Sequence, residues 1–82
     1  MKVTVLYFAS LRERAGRAQD EEDVPAGTTA GALWERLCAR GAVGGSRAAP
    51  GFAVNGEWTG PERVLAEGDV LALLPPVSGG AA

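Results

Sequence analysis

Two adjacent glycines near the C-terminus, Gly79 and Gly80, are the residues of this chain best suited to take part in chemistry. Glycine has no side chain and adopts almost any backbone angle, so a double glycine can enter a narrow channel in another protein. A carboxyl group on Gly80 would also be an unhindered acyl group for attack. The pattern therefore indicates a chain that carries its reactive group on a tail and presents it to partners.

The 82-residue sequence lacks the side chains that most active sites need. It has no histidine, which excludes a Ser-His-Asp triad and histidine zinc ligands. Cys38 is the only cysteine, so the chain can form neither an iron–sulfur cluster nor an internal disulfide, and we expect a cytoplasmic location. We therefore expect no metal, no bound cofactor and no catalytic activity of the chain alone.

The charge pattern argues against nucleic acid and membrane partners. The net charge is −2 and the charged residues are dispersed, whereas a nucleic-acid surface would need a basic stripe. No apolar run reaches the length of a membrane span, and the first residues lack the layout of a signal peptide. We expect partners that are proteins.

Two strands precede the main helix in the predicted order. Residues 1–9 alternate between two faces, which is the period-2 pattern of a strand. A short helical turn follows and should stop at Gly16. Residues 20–24 are mostly acidic and are followed by Pro25, so we predict a second strand with an exposed acidic face that pairs with the first.

The main helix is predicted over residues 30–40. Thr29 suits the N-cap, because its hydroxyl oxygen can accept a hydrogen bond from the first turn. Leu33 and Leu37 are four residues apart and therefore share the face that should pack on the sheet. Gly41 is placed to end the helix in a left-handed conformation.

Three further strands follow the helix. Residues 52–55 form a short strand, and Asn55-Gly56 is the strongest hairpin signal in the chain, so a return strand should follow it. Residues 70–74 are almost entirely apolar, which favours a central strand, and a pair of prolines ends it.

The order of these elements predicts the fold. One helix across one face of a mixed sheet is the α+β arrangement called the β-grasp, or ubiquitin-like, fold. We predict a single β-grasp domain over residues 1–76 and a flexible C-terminal tail over residues 77–82 that carries the double glycine.

Three segments of the sequence resemble a known family. The chain is similar to the molybdopterin synthase small subunit, a ubiquitin-related sulfur carrier of the MoaD-like and ThiS-like kind. The resemblance covers nearly the whole chain and is most specific at its two ends. The segments that carry it are Leu6 to Glu13 with the following Gly16, Ala53 to Asn55, and Glu67 to Gly80.

The resemblance implies a function for the tail. In the family, an ATP-dependent adenylyltransferase converts the terminal glycine carboxylate to an acyl-adenylate, and a sulfur donor then converts it to a thiocarboxylate. The large synthase subunit uses that sulfur in molybdenum cofactor biosynthesis. Gly80 would therefore carry the sulfur, while Gly79 and Ser78 would thread the tail into the partner.

The sequence departs from the family pattern after the double glycine. The family ends at the second glycine, whereas Ala81 and Ala82 follow Gly80 here. The carbonyl of Gly80 is then part of an amide and cannot be adenylated. Either a protease trims the tail, or the two alanines do not belong to the natural chain, or the chain is not an active carrier.

The alternation of side chains between the two faces of a strand, here called strand parity, predicts a partner-binding face. If Val3, Val5 and Tyr7 face the helix, Phe8 falls on the opposite, open face of the sheet, and the same argument places Leu74 there. An apolar patch on an open sheet face usually marks an interface. The resemblance assigns partner binding to this face, so the predicted contact residues are Phe8, Trp58, Leu74, Pro75, Pro76, Val77 and Ser78.

Other functions share this fold and tail. The chain could carry sulfur for thiamin, tRNA thiolation or cysteine synthesis. It could also be a ubiquitin-like protein modifier joined to lysines through Gly80, or an interaction domain with an inactive tail. The Pro-Pro-Val-Ser segment that precedes the double glycine favours the molybdopterin synthase subunit among these alternatives.

Overall fold

The computed structural model describes residues 1–44 and 49–75. Within these ranges, the strands and the main helix follow one another in the predicted order, and the short turn expected after the first strand is a seven-residue helix. The elements are β1 (Lys2–Tyr7), α1 (Ala9–Ala15), β2 (Gln19–Asp23), α2 (Ala30–Ala39), β3 (Gly51–Val54), β4 (Glu57–Thr59) and β5 (Val70–Leu74).

All the strands of the described ranges belong to one mixed sheet with the order β2-β1-β5-β3-β4. β1 and β5 are parallel neighbours, and every other pair is antiparallel. β5 is therefore a central strand, as its apolar sequence predicts. The sheet with α2 on one face confirms the predicted α+β, β-grasp fold.

The main helix forms where its capping residues predict it. The Thr29 side chain accepts a hydrogen bond from the backbone N–H of Ala32 at 3.1 Å. Leu33 and Leu37 are fully buried in the core against the sheet. The helix ends one residue before the predicted end, with Arg40 as its C-cap, and Gly41 follows with φ +75°.

The prediction of a first strand over residues 1–9 is wrong at its C-terminal end. β1 stops at Tyr7, because Ala9 has φ +48° and turns the chain directly into α1. Phe8 still extends the ladder by one bond, since its N–H donates to the carbonyl of Leu73 at 3.3 Å. The buried Leu11 then anchors α1 in the core.

The prediction of an exposed acidic face on the second strand is wrong for Glu22. This side chain is 5% exposed and receives two hydrogen bonds from the guanidinium group of Arg40, one of them at 2.8 Å. The register pairs Glu22 with Val3, whose side chain faces the core. Glu22 therefore faces inward as well, and the end of α2 supplies the positive charge that a buried carboxylate needs.

Two neighbouring apolar side chains in the loop before β5 differ in their burial. Leu65 is buried in this loop, whereas its neighbour Val64 is 57% exposed. No helix in the described ranges is long and apolar enough to cross a membrane.

Candidate partner-binding site

The main chain leaves the sheet at the end of its central strand. Leu74, the last residue of β5, lies opposite Gly51 of β3, and the half-buried Pro75 follows it. The tail therefore begins beside both neighbouring strands of β5. The remaining predicted site residues lie outside the described residues: Pro76, Val77, Ser78, Gly79 and Gly80, together with Ala81 and Ala82.

Apolar side chains line the face of the sheet that α2 does not cover. The register places four of them in one row from β1 to β4, where Leu6 pairs with Ala72, Ala72 with Ala53, and Ala53 with Trp58. Phe8 and Leu74 lie at the end where the tail begins. We call the following residues the open-face patch: Leu6, Phe8, Ala53, Trp58, Ala72 and Leu74.

The exposure of these side chains agrees with the predicted interface face. Trp58 is 71% exposed and Phe8 is 42% exposed, although both are large and apolar. Leu74 is half-buried on the same face. Leu6 and Ala72 are half-buried, and Ala53 between Ala72 and Trp58 is buried. Large apolar side chains exposed on one face are typical of a protein-binding surface. Whether these residues contact a partner stays a prediction.

Trp58 covers the strand next to the tail. A Cβ atom built on Gly51 would lie 2.9 Å from Cζ3 of Trp58, so the indole ring approaches the backbone of Gly51 closely. Since Gly51 is the register partner of Leu74, the ring extends the open-face patch toward the last residue of β5. Glycine at this position leaves the space that the aromatic ring occupies.

A hydrogen-bonded group fixes the end of β1 one residue before Phe8. The Tyr7 hydroxyl donates to Oδ2 of Asp20 at 2.9 Å, and Nε of Arg17 donates to Oδ1 at 2.6 Å. Burial raises the pKa of the Tyr7 phenol, and its bond to Asp20 adds to the effect. Burial works to raise the pKa of Asp20 too, but the hydrogen bonds from Arg17 and Tyr7 outweigh it and lower that pKa.

A second polar group fixes the start of β5. Asn55 donates to Oδ1 of Asp69 at 2.9 Å and accepts from the backbone N–H of Val70 at 3.0 Å. The backbone N–H of Ala66 donates to the other Asp69 oxygen at 2.7 Å and, together with Asn55, lowers the pKa of Asp69. The hairpin predicted from Asn55-Gly56 thus also holds the strand that leads to the tail.

The accessible surface of the site is apolar, and its polar side chains lie in the two groups described above. Within residues 1–44 and 49–75, no three histidine, cysteine or acidic side chains come together where they could hold a metal ion. The polar groups of the site are engaged with one another and support the strand ends. What remains accessible is an apolar surface beside the origin of a glycine-containing tail.

This arrangement defines a class of protein. A mixed sheet with one long helix on one face, and a central C-terminal strand that leads to a double glycine, is that of a ubiquitin-like β-grasp protein. Comparison with known proteins then gives the family. The sequence pattern of the ThiS family matches residues 5–80, and the chain belongs to this family.

Relatives and solved structures resemble the chain over nearly its whole length. The molybdopterin synthase sulfur carrier subunit of Chlamydomonas reinhardtii is 35% identical, covering 98% of this chain and all of the relative. SAMP1 of Haloferax volcanii is 33% identical with a TM-score of 0.80, over 98% of this chain and all of that one. A chain from a complex of subunits 1 and 2 of molybdopterin-converting factor of Helicobacter pylori shares the fold, with 23% identity and a TM-score of 0.68, over 98% of this chain and all of that one.

Proposed function

We propose that the chain is the sulfur carrier subunit of molybdopterin synthase and donates sulfur from a thiocarboxylate on Gly80. The observation that carries the proposal is the family match, which ends at Gly80 and leaves Ala81 and Ala82 outside. The whole-chain similarity to a relative with this name supports it. The chain supplies the acyl group, and its partners supply the catalysis.

The chemistry needs a free carboxylate on Gly80. One carboxylate oxygen attacks the α-phosphorus of ATP in the partner adenylyltransferase, pyrophosphate leaves, and an acyl-adenylate forms. A sulfur donor then displaces AMP at the same carbonyl carbon, which leaves a thiocarboxylate. The reactive carbonyl must be placed accurately in the partner, and side chains beyond it would present the wrong group there.

The fold explains how one domain could serve successive partners. The open-face patch offers the same exposed apolar surface to each of them, and the tail begins at its edge. We propose that the large synthase subunit and the adenylyltransferase/sulfurtransferase both bind this surface, in a cytoplasmic pathway. The Helicobacter complex of two subunits, one of which has this fold, supports the large subunit as one partner.

Intact-mass spectrometry of two forms of the chain tests the proposal. A form that ends at Gly80 should gain AMP from the adenylyltransferase with ATP, and should exchange one oxygen for sulfur when a sulfur donor is added. The matched control is the chain that ends at Ala82, which should gain neither because Gly80 is then an amide. Thiocarboxylation at Ala82, or no reaction of either form, would contradict the proposal.

The tail also requires a trimming step if the alanines belong to the natural chain. We propose that a protease removes Ala81 and Ala82 before adenylation. Protein purified from its own cells should then contain a form that ends at Gly80. A pull-down from the same cells should recover the large synthase subunit, whereas recovery of a thiazole-forming or tRNA-thiolating enzyme would assign the carrier to a different pathway.

A further inference from the structure

The outer edge of β4 exposes the backbone of one residue. In the described ranges β4 is the last strand of the sheet and pairs only with β3. Asn55 and Gly56, with φ +52° and +87°, form the two-residue turn of this hairpin. The residues that flank such a turn, here Val54 and Glu57, are a hydrogen-bonded pair, and bonded and non-bonded pairs then alternate. The backbone N–H and carbonyl of Trp58 therefore point away from β3, and no group of the described ranges bonds to them.

A groove of about 440 Å³ lies on the α2 side of this edge. The side chains of Glu57 and Thr59 are on this side, because their register partners on β3 point into the core. Thr59 lines the groove together with the apolar side chains of Trp34, Phe52 and Pro61. Clefts that hold ligands usually measure about 300–1,000 Å³, so the groove is large enough to take an apolar side chain.

Three carboxylates surround the groove and the outer edge. Glu57 begins β4, and Glu35 lines the groove from α2. The carboxylate of Glu62 lies over Gly60, the residue that follows β4. All three acidic residues are exposed, and none forms an ion pair within the described ranges. Since binding surfaces carry complementary charges, this edge fits a partner with a basic residue.

The charge pattern also decides between possible occupants. A second copy paired through β4 would bring like charges of the two copies together, which is unfavourable. Residues 75–82 of this chain contain no basic residue. At the other edge of the sheet, Arg40 reaches from the end of α2 to the buried Glu22 and occupies the corresponding side of β2. The observations therefore favour a segment of another protein, bound at β4.

We propose that the outer edge of β4 and its groove bind an extended segment of a partner protein, in which a basic residue follows an apolar residue by two positions. The segment adds to β4 as an antiparallel strand, the more stable arrangement. Its middle residue exchanges two backbone hydrogen bonds with Trp58 and places its side chain beside the indole ring. Because side chains alternate, its two neighbours point to the α2 side. The apolar one lies beside Thr59 and enters the groove, and the basic one lies beside Glu57.

Nuclear magnetic resonance titration of the full chain with short peptides tests the proposal. The probe is the peptide Thr-Leu-Val-Arg-Thr with acetyl and amide ends, which should shift the amide signals of Trp58 and Thr59 and the indole signal of Trp34 in a saturable manner. The control peptide Thr-Arg-Val-Leu-Thr has the same composition in the opposite order. It should bind about tenfold more weakly, because arginine then replaces leucine at the groove.

A methylated peptide and two charge-reversal variants complete the test. Methylation of the valine backbone nitrogen removes the bond donated to the Trp58 carbonyl, so Kd should rise about two- to tenfold. Glu57→Lys should raise Kd about fivefold. Glu21→Lys makes the same change at an exposed position of β2 and should leave Kd unchanged.

Several results would overturn the proposal. These are the absence of a saturable shift, shifts centred on β2, equal affinity for the two peptide orders, and an unchanged Kd after methylation. A shift of the Trp58 amide when the protein alone is concentrated would identify a second copy as the occupant and would overturn it too. The proposed site is separate from the tail, so none of these results bears on the chemistry at Gly80.

Discussion

The two tryptophans offer a matched test of core and interface. Trp34 is 5% exposed and belongs to the core, whereas Trp58 is 71% exposed on the open-face patch. Truncation of a buried aromatic residue typically costs about 3–5 kcal/mol, so we expect that loss of stability for Trp34→Ala. Less than a third of Trp58 is covered, about 60 Å² of a large side chain, which contributes at most about 1.5 kcal/mol.

For partner binding, we expect Trp58→Ala to have the larger effect of the two substitutions. An exposed tryptophan at an interface is a frequent hot spot, and its loss costs about 2 kcal/mol or more of binding energy, or roughly 30-fold in Kd. Trp58→Ala should therefore weaken binding to the large synthase subunit while the domain stays folded. Urea unfolding followed by far-UV circular dichroism gives the stability of both variants, and titration calorimetry gives the affinity. If Trp58→Ala is as destabilising as Trp34→Ala, or binds with unchanged affinity, our assignment of the two faces is wrong.

Further predictions concern the helix, the patch and acid stability. Leu37→Ala should cost about 2–5 kcal/mol in urea unfolding, because the side chain is fully buried, and a cost below about 0.5 kcal/mol would contradict the helix packing. Phe8→Asp or Leu74→Asp should weaken binding to the partner and leave the isolated domain folded, since a charge in a desolvated interface is unfavourable; an unfolded variant would place its residue in the core. The folded state lowers the pKa of Asp20, so its stabilising effect is complete above its unfolded pKa of about 3.9 and is lost as the pH falls through the folded value. Asp20→Asn should thus be less stable at pH 7 and lose less stability on acidification, and parallel acid unfolding curves for the two proteins would refute this.

Local patterns were sufficient to predict most of the fold. Residues 70–74 are apolar throughout because the strand is central, and the Leu33 and Leu37 spacing marks the buried face of α2. The sequence could not reveal that Glu22 is buried. Its partner, Arg40, is eighteen residues away, and only the pairing of Glu22 with Val3 shows which acidic side chains face inward.

The candidate site was predictable where it depends on strand parity. Parity places Phe8 and Leu74 on the open face, which the structure confirms, although Leu74 is only partly exposed. Parity could not predict the bond between Asn55 and Asp69, because it joins two turns that are distant in sequence. The role of Gly80 rests on its sequence context and its chemistry and stays a prediction.

The parallel pairing of β1 and β5 has a mechanical consequence. β1 starts at the second residue, and β5 ends where the tail begins, so a pull on the two ends of the domain acts along both strands in opposite directions. The hydrogen bonds of the ladder are then loaded together in shear, and none can open alone as in a zipper. A pull on the C-terminal end of β5 is therefore resisted by the whole β1–β5 ladder at once, which keeps the central strand in the sheet.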